Sequence, residues 1–288
     1  MEPIVKEFFD SETWTLTYIV YHQLTKDGII IDPVWNYNPN SSKLTSESIE
    51  LLLNFVSSNQ LKIHYILETH AHADHISGAQ VLKQKLNEAK IGIGANITKV
   101  QSVFKKVFNL NEKFLTNGNQ FDVLLTEEES IFAGPLEIKT LFTPGHTPAC
   151  VSYLIGNCVF TGDLIFMPDY GTGRCDFPSG SAEDLYDSIQ NKLYSLPEDT
   201  KVYVGHDYLP GNRSLAFQTT IFEEKMNNIQ IKKNTKKDEF VNFRKNRDKS
   251  LQAPRLLFPS VQINIDAGKL PTVEDNGSMY LKIPLSVK

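Results

Sequence analysis

Hydrophobic and polar residues follow two different periods along the first two hundred positions of this chain. Short apolar stretches predict strands at residues 14–21, 28–31, 62–68 and 91–93. Apolar residues at helical spacing predict helices at residues 45–58 and 79–88, with Ile49, Leu52, Leu53 and Val56 on one face of the first. This alternation of strands and helices indicates a layered α/β domain.

The same pattern continues in the second half of the chain. Strands are predicted at residues 136–142, 151–160 and 201–204, with a turn at Gly156-Asn157, and a helix at residues 182–193. Residues 225–255 then contain ten of the 29 Lys and Arg residues but three acidic ones, which predicts a basic helical segment. This segment is either a solvated face or a cap that offers cations to an anionic substrate. The proline-containing remainder, residues 256–288, is expected to wrap the surface.

Composition narrows the classes of protein that the chain can belong to. A hydrophobic fraction of 41% and a charged fraction of 22% are typical of a soluble globular protein, and a net charge of −5 does not favour nucleic acid as a partner. Cys150, Cys158 and Cys175 are too few for a disulfide framework. The N-terminus lacks a signal-peptide pattern, and no apolar run is long enough to cross a bilayer. We therefore expect a cytoplasmic protein with no membrane partner.

A cluster of histidines carries the strongest chemical signal. His70, His72, Asp74 and His75 lie within six residues, directly after the strand predicted at 62–68. Packed imidazoles repel one another when protonated and lose solvation when neutral, and a metal ion relieves both problems by accepting their lone pairs. The cluster therefore predicts a metal site.

Three further polar residues follow predicted strands. His146 lies in the turn TPGHTP, Asp163 in the segment FTGD, and His206 in the segment VGHDY. Each of these segments alone is weak evidence for a metal site, because glycine beside a histidine often marks only a turn. Together they place metal-ligating side chains at four strand ends, where a rigid sheet holds them at an open rim.

The series HAHADH, GHTPA, TGD and GHDY resembles the metallo-β-lactamase superfamily over residues 10 to 210. The resemblance implies a four-layer αββα sandwich with a metal pocket at one edge of two sheets, followed by a helical and irregular C-terminal extension. It implies that His70, His72 and His146 bind one metal, that Asp74, His75 and His206 serve a second, and that Asp163 can bridge them. We expect residues 1–222 to form the catalytic domain and residues 223–288 to belong to the same domain.

The segment MPDYGTGRCDFP at residues 167–178 resembles one branch, the persulfide dioxygenases (sulfur dioxygenases). In that branch a single Fe(II) is bound by the residues that correspond to His70, His146 and Asp163. This implies oxidation of glutathione persulfide by O2 to sulfite and glutathione. Three protein ligands on one face leave three positions open, enough for sulfur and O2. His72, Asp74, His75 and His206 would then orient the ligands or bind water.

Substrate-binding residues are expected among the cations and aromatic residues near these motifs. The candidates are Arg174, Tyr208, Arg244 and Arg247, while Asp176 and Asp207 are expected to be structural. Arg174 either binds a glutathione carboxylate through its planar fork or forms an ion pair with Asp176. We also expect a homodimer, and a rhodanese is a candidate supplier of the persulfide.

Two alternative functions use the same residues. Hydroxyacylglutathione hydrolases of the glyoxalase II type share the fold but use two metal ions, such as Zn, to generate a hydroxide that attacks a thioester. Their loop resembles GRFFEG where this chain has GRCDFP, which favours the dioxygenase. A structural metal is disfavoured, because structural zinc sites normally close all four positions with Cys and His.

Overall fold

Two six-stranded sheets form the centre of the protein. A computed structural model describes residues 2–86, 88–127 and 129–286. The strands within these residues are β1 (Ile4–Asp10), β2 (Thr15–Tyr21), β3 (Asp27–Ile31), β4 (Val34–Asn38), β5 (Lys43–Thr45), β6 (Lys62–Glu68), β7 (Ile76–Ser77), β8 (Lys90–Gly94), β9 (Val123–Leu125), β10 (Ser130–Ala133), β11 (Leu136–Phe142), β12 (Val151–Ile155), β13 (Cys158–Phe160), β14 (Lys201–Tyr203) and β15 (Gln218–Thr220). The α-helices are α1 (Glu47–Ser58), α2 (Ala79–Lys85), α3 (Ile97–Val107), α4 (Ala182–Asp187), α5 (Ile221–Asn227), α6 (Lys237–Asp248) and α7 (Leu257–Asn264).

The strand order separates the two halves of the chain. The first sheet has the order β1-β2-β3-β6-β8-β9, and the second has the order β10-β11-β12-β13-β14-β15. A small third sheet, β5-β4-β7, lies beside them. No helix in the described ranges combines the length and the apolarity that crossing a bilayer requires.

Alternation along β2 shows how the layers are built. Leu16, Tyr18 and Val20 belong to the core that also contains residues of the second sheet. Ile19 points the other way and packs with the helices that cover the outer face of the first sheet. Because successive side chains of a strand face opposite sides, each strand of a central sheet contributes to two cores. The αββα sandwich expected from the sequence is confirmed.

The strand directions bring the predicted metal residues to one edge. β11 and β13 are both antiparallel to β12, and β14 is parallel to β13, so these three strands end on the same side of the second sheet. Backbone hydrogen bonds from Leu16 to Gly205 and from Val151 to Thr69 join the two sheets at that side. The loops after β6, β11, β13 and β14 therefore meet.

The boundaries of all three predicted helices differ from those observed. The helix predicted at residues 79–88 ends at Lys85, and residue 87 lies outside the described residues. α1 begins at Glu47 rather than at residue 45, and Ile49, Leu52 and Val56 are its buried face. The helix expected at residues 182–193 ends as an α-helix at Asp187 and continues as a π-helical turn over Ser188–Lys192. Periodicity does not separate these helix types, because the apolar spacing changes by less than one residue per turn.

The C-terminal segment contributes to both cores. Phe240 and Val241 of α6 pack in the core between the sheets, and Val261 of α7 packs in the outer core. The side chain of Asn264 donates hydrogen bonds to the carbonyl oxygens of His72 and His75. We therefore propose that residues 223–288 fold with the rest of the chain as one domain.

Arg244 differs from the exposed cation that the basic segment led us to expect. It is 1% exposed and forms an ion pair with Asp248 at 2.5 Å. Its guanidinium also donates to Thr172 and to the side chain of Gln230. The amphipathic face of α6 buries this position beside Phe240, so Arg244 holds the loop around Thr172 instead of contacting solvent or substrate.

We predict that Arg244→Ala lowers the free energy of unfolding by about 3–5 kcal/mol, because it leaves Asp248 buried without its partner. Arg247→Ala, at an exposed position on the same helix, should change it by less than about 0.5 kcal/mol. Urea denaturation followed by circular dichroism measures both. Equal stability of the two variants would contradict the role assigned to Arg244.

Candidate metal centre

His70, His146 and Asp163 lie together on three different loops. One ligand atom from each falls within 4.8 Å of the others, and all three residues are buried. The Oδ2 atom of Asp163 lies 3.6 Å from Nε2 of His146 and 4.0 Å from Nε2 of His70. These separations leave room for an ion between two imidazoles and one carboxylate.

Hydrogen bonds at the far side of each ring set which nitrogen faces the centre. Nδ1 of His146 lies 2.7 Å from the carbonyl oxygen of Arg174, which only accepts, so Nδ1 carries the proton. Nδ1 of His70 lies 3.0 Å from the hydroxyl of Thr69, which itself donates to Asp32. Both rings therefore turn Nε2 towards Asp163, as a metal ligand must.

Two of the inward atoms have no hydrogen-bonding partner among the described residues. Nε2 of His70 and Oδ1 of Asp163 are buried and unpaired. Burial lowers the pKa of His70 well below its usual value, with His72 and His146 adding to the effect, so its ring stays neutral. Buried unpaired polar atoms are destabilising unless something binds them. A nitrogen, nitrogen and oxygen donor set fits a divalent metal ion.

His206 approaches the same carboxylate from the opposite side. Its Nε2 atom lies 3.3 Å from Oδ1 of Asp163 and 3.4 Å from Oδ2 of Asp74. Its Nδ1 atom lies 3.1 Å from the carbonyl oxygen of Trp14. The two oxygens of Asp163 thus face different histidines, and the carboxylate could bridge two ions.

His72, Asp74 and His75 form a second possible ligand group within 4.8 Å of one another. Oδ2 of Asp74 lies 3.0 Å from Nδ1 of His75, and Nε2 of His75 makes no hydrogen bond within the described part of the chain. Burial raises the pKa of Asp74, but His206 and His75 outweigh that effect and hold it well below its usual value. The geometry therefore permits one metal ion or two.

Two buried carboxylates beneath His72 were not among the site residues predicted from the sequence. Nε2 of His72 lies 3.0 Å from Asp32 and 3.3 Å from Glu68. Asp32 also accepts hydrogen bonds from the backbone and hydroxyl of Thr69. Asp32 directly follows β3 and precedes Pro33. This position was a weak indication of a site residue, since polar groups of this fold gather at strand ends.

The loop after β13 approaches the first sheet closely. Gly162 has a φ of +50°, and a Cβ atom there would clash with the hydroxyl of Thr69. Its carbonyl oxygen accepts a hydrogen bond from the backbone of Gly205. Glycine is needed at this point because both the backbone conformation and the space exclude a side chain. The TGD segment thereby places Asp163 against the loops of both sheets.

A cleft of about 240 Å³ opens over these residues. Residues from the metal group and from the N- and C-terminal parts of the chain line it, among them Trp14, His146, Asp163, Arg174, Tyr208 and Pro254. The ring of Tyr208 stacks on His206 and on Tyr170 at centroid distances of 5.4 and 4.7 Å. Burial raises the pKa of Tyr208 well above its usual value, and Asp163 and Asp74 raise it further. The phenol stays protonated and can donate a hydrogen bond.

Arg174 forms the ion pair that was one of its two expected roles. Nε and Nη2 bind the carboxylate of Asp176 at 2.5 and 2.6 Å, and Nη1 donates to the carbonyl oxygen of Gln252 at 2.7 Å. The side chain also lines the cleft. Arg174 therefore fixes the loop between β13 and α4 and fastens the segment around residue 252 next to the cleft.

The structure places the remaining predicted residues at varying distances from the cleft. Asp207 is buried and paired with Arg213 at 2.7 Å, as expected for a structural residue. Arg247 is exposed and is not among the residues that line the cleft. Arg255, which was not singled out from the sequence, does line it. In the sequence, the indication that Arg255 could contact a substrate was its position in the basic segment.

The cysteines near the site are small buried residues. Cys150 is 4% exposed and Cys175 is 9% exposed. Burial raises the pKa of Cys150 to about 12. The thiol is therefore protonated at neutral pH and is a poor nucleophile.

The conserved domain model of the metallo-β-lactamase superfamily matches residues 14–206. This range covers all the loops that meet at the edge of the two sheets. The chain belongs to the metallo-β-lactamase superfamily.

Relatives within the superfamily carry different names. A Dictyostelium discoideum protein named Glyoxylase B2 is 48% identical over 98% of this chain and 97% of its own length. The human persulfide dioxygenase ETHE1 is 30% identical over 71% of this chain and 68% of its own length. The crystal structure of ETHE1 from Myxococcus xanthus superposes with a TM-score of 0.75 at 31% identity, covering 92% of this chain and 100% of that one.

We predict that Thr69→Val weakens metal binding about 10- to 100-fold, because it removes the hydroxyl that orients His70. Thr69→Ser keeps the hydroxyl and should bind metal nearly as tightly as the unchanged protein. Competition with a chelator, followed by elemental analysis, measures the affinity of each variant. If Thr69→Ser loses as much affinity as Thr69→Val, packing of the methyl group rather than the hydrogen bond matters.

Proposed function

We propose that this protein is an iron-dependent persulfide dioxygenase that converts glutathione persulfide, O2 and water to glutathione and sulfite. The observation that carries the proposal is the grouping of His70, His146 and Asp163 within 4.8 Å. Two histidines and one carboxylate form the ligand set of non-haem iron oxygenases, which keep open positions for substrate and oxygen. Homology to ETHE1 supports the same reaction class.

The residues of the chain prepare the site for this chemistry. When bound, Fe(II) supplies open coordination positions and the electrons with which O2 is activated. His70 and His146 are held with Nε2 inward, and Asp163 supplies the negative charge. The neutral phenol of Tyr208 can donate a hydrogen bond to an anionic oxygen or sulfur in the cleft. The outer sulfur is oxidised to sulfite, O2 is reduced, and water supplies the third oxygen.

A small apolar pouch adjoins the metal residues and suits the second substrate. It has a volume of about 100 Å³ and shares Ala73, His146, Arg174 and Pro254 with the cleft. Phe177 lies with its ring centroid 6.2 Å from that of His146 and also lines the pouch. Apolar walls favour a small apolar molecule such as O2 over water.

A dinuclear hydrolase of hydroxyacylglutathione thioesters is the second candidate. The ligand group of His72, Asp74 and His75, with His206 facing Asp163, could hold a second metal ion. The relative named Glyoxylase B2 favours this candidate. The homodimer stays a prediction for either function, and a rhodanese as supplier of the persulfide stays a prediction for the dioxygenase.

We predict about one iron per chain after purification from iron-replete cells. His70→Ala, His146→Ala and Asp163→Ala should each abolish iron retention, because each removes one of three ligands. Asp74→Ala and His206→Ala should retain most of the iron, since their loss disturbs only its surroundings. Elemental analysis of the five variants measures this, and equal metal loss in both sets would support the dinuclear site.

We predict that the iron-loaded protein consumes O2 with glutathione persulfide and releases sulfite in equal amounts. An oxygen electrode and a sulfite assay measure the two quantities. The matched control is S-lactoylglutathione, a thioester of the hydrolase class, which should be hydrolysed at a far lower catalytic efficiency. Thioester hydrolysis with no persulfide-dependent O2 uptake would overturn the proposal in favour of the second candidate.

A further inference from the structure

A second cavity borders the metal cleft beside His75. This side chamber has a volume of about 420 Å³ and shares Glu12, Thr13 and Arg255 with the cleft. The cleft of about 240 Å³ is small for a tripeptide, because sites for small molecules usually span about 300–1,000 Å³. A substrate that reaches from the metal residues into the side chamber would fill both.

Arg255 lies where the two cavities meet, and its ion pair is long and exposed to solvent. Its one ion pair among the described residues is with Glu12, at 3.9 Å, and the two side chains are 58% and 78% exposed. Exposed ion pairs of this kind contribute little, so a ligand carboxylate can replace Glu12 easily. Arg174, the other arginine of the cleft, already binds Asp176 through two nitrogens and Gln252 through the third.

The other polar groups of the side chamber complement an α-amino acid. Asp10 and Glu47 line it together with Glu12 and Asn38. An α-amino-acid group carries one carboxylate and one ammonium on the same carbon. Arg255 can bind the carboxylate through a planar fork, while the acidic residues attract the ammonium.

We propose that the side chamber binds the α-amino-acid end of the γ-glutamyl group of glutathione persulfide, with Arg255 on its carboxylate. This inference rests on the proposed function for the identity of the substrate. The persulfide sulfur then extends from the boundary of the chamber to His70, His146 and Asp163. Arg174 is a positioning residue, because its bond to Gln252 fastens the chain three residues before Arg255.

Glutathione itself, titrated into the metal-loaded protein by isothermal calorimetry, tests the inference without any turnover. Arg255→Ala should weaken glutathione binding about 10- to 100-fold, the usual effect of losing a hydrogen bond to a charged group. Arg255→Lys should recover part of the affinity, since it keeps the charge and loses the fork. Lys249→Ala is the matched control, because this cation is exposed at the end of α6 and lines neither cavity.

A second ligand identifies the group that Arg255 contacts. Glutathione whose γ-glutamyl α-carboxylate is converted to an amide should bind the unchanged protein more weakly than glutathione does. Arg255→Ala should then cause no further loss, because the interaction is already absent. An equal loss for both ligands, unchanged binding of glutathione to Arg255→Ala, or no binding of glutathione to the unchanged protein overturns the inference.

The two proposals fail in different ways. If Arg255 is not the contact, O2 uptake with glutathione persulfide persists in Arg255→Ala at unchanged KM. If the chain is not a dioxygenase, O2 uptake is absent in every variant, while glutathione binding still depends on Arg255. Melting curves of each variant show whether a loss of binding reflects unfolding.

Discussion

The carboxylate of Asp163 is the group on which the site depends, because imidazoles from both halves of the chain converge on it. His70 comes from the loop after β6 in the first sheet, while His146 and His206 come from loops of the second. The two sheets must therefore pack face to face with their loop edges aligned. The contact of Gly162 with Thr69, and the hydrogen bond between Gly162 and Gly205, hold Asp163 where the loops meet.

The C-terminal part of the chain supports this arrangement from outside. The ion pair of Arg244 and Asp248 on α6 binds the loop at Thr172 and the backbone of Cys175. The carbonyl oxygen of Arg174, in the same loop, orients the ring of His146. This buried ion pair thereby supports the carbonyl group that determines which nitrogen of His146 faces the metal residues. Within the basic segment, Arg244 packs in the interior and Arg255 lines the cleft.

Local patterns predicted a layered α/β domain and singled out the candidate metal residues that the structure brings together, while the αββα arrangement followed from the resemblance of the motifs to a known family. Short continuous apolar runs indicate which strands are buried on both faces, and clustered histidines at strand ends have few structural explanations. Arg244 and Arg255 were harder to assign, because the surroundings of an arginine depend on partners that are distant in the chain, such as Thr172 and Glu12. Asp32 and Glu68 were missed for the same reason. The number of metal ions cannot be predicted from local sequence patterns either, because the same residues permit one ion or two.

We propose that one metal ion binds between His70, His146 and Asp163. Anomalous diffraction at the iron absorption edge, from crystals of the iron-loaded protein, tests this proposal. We expect a single peak within bonding distance of Nε2 of His70, Nε2 of His146 and a carboxylate oxygen of Asp163. Two peaks of similar height bridged by Asp163, the second beside Asp74 and His206, would contradict it.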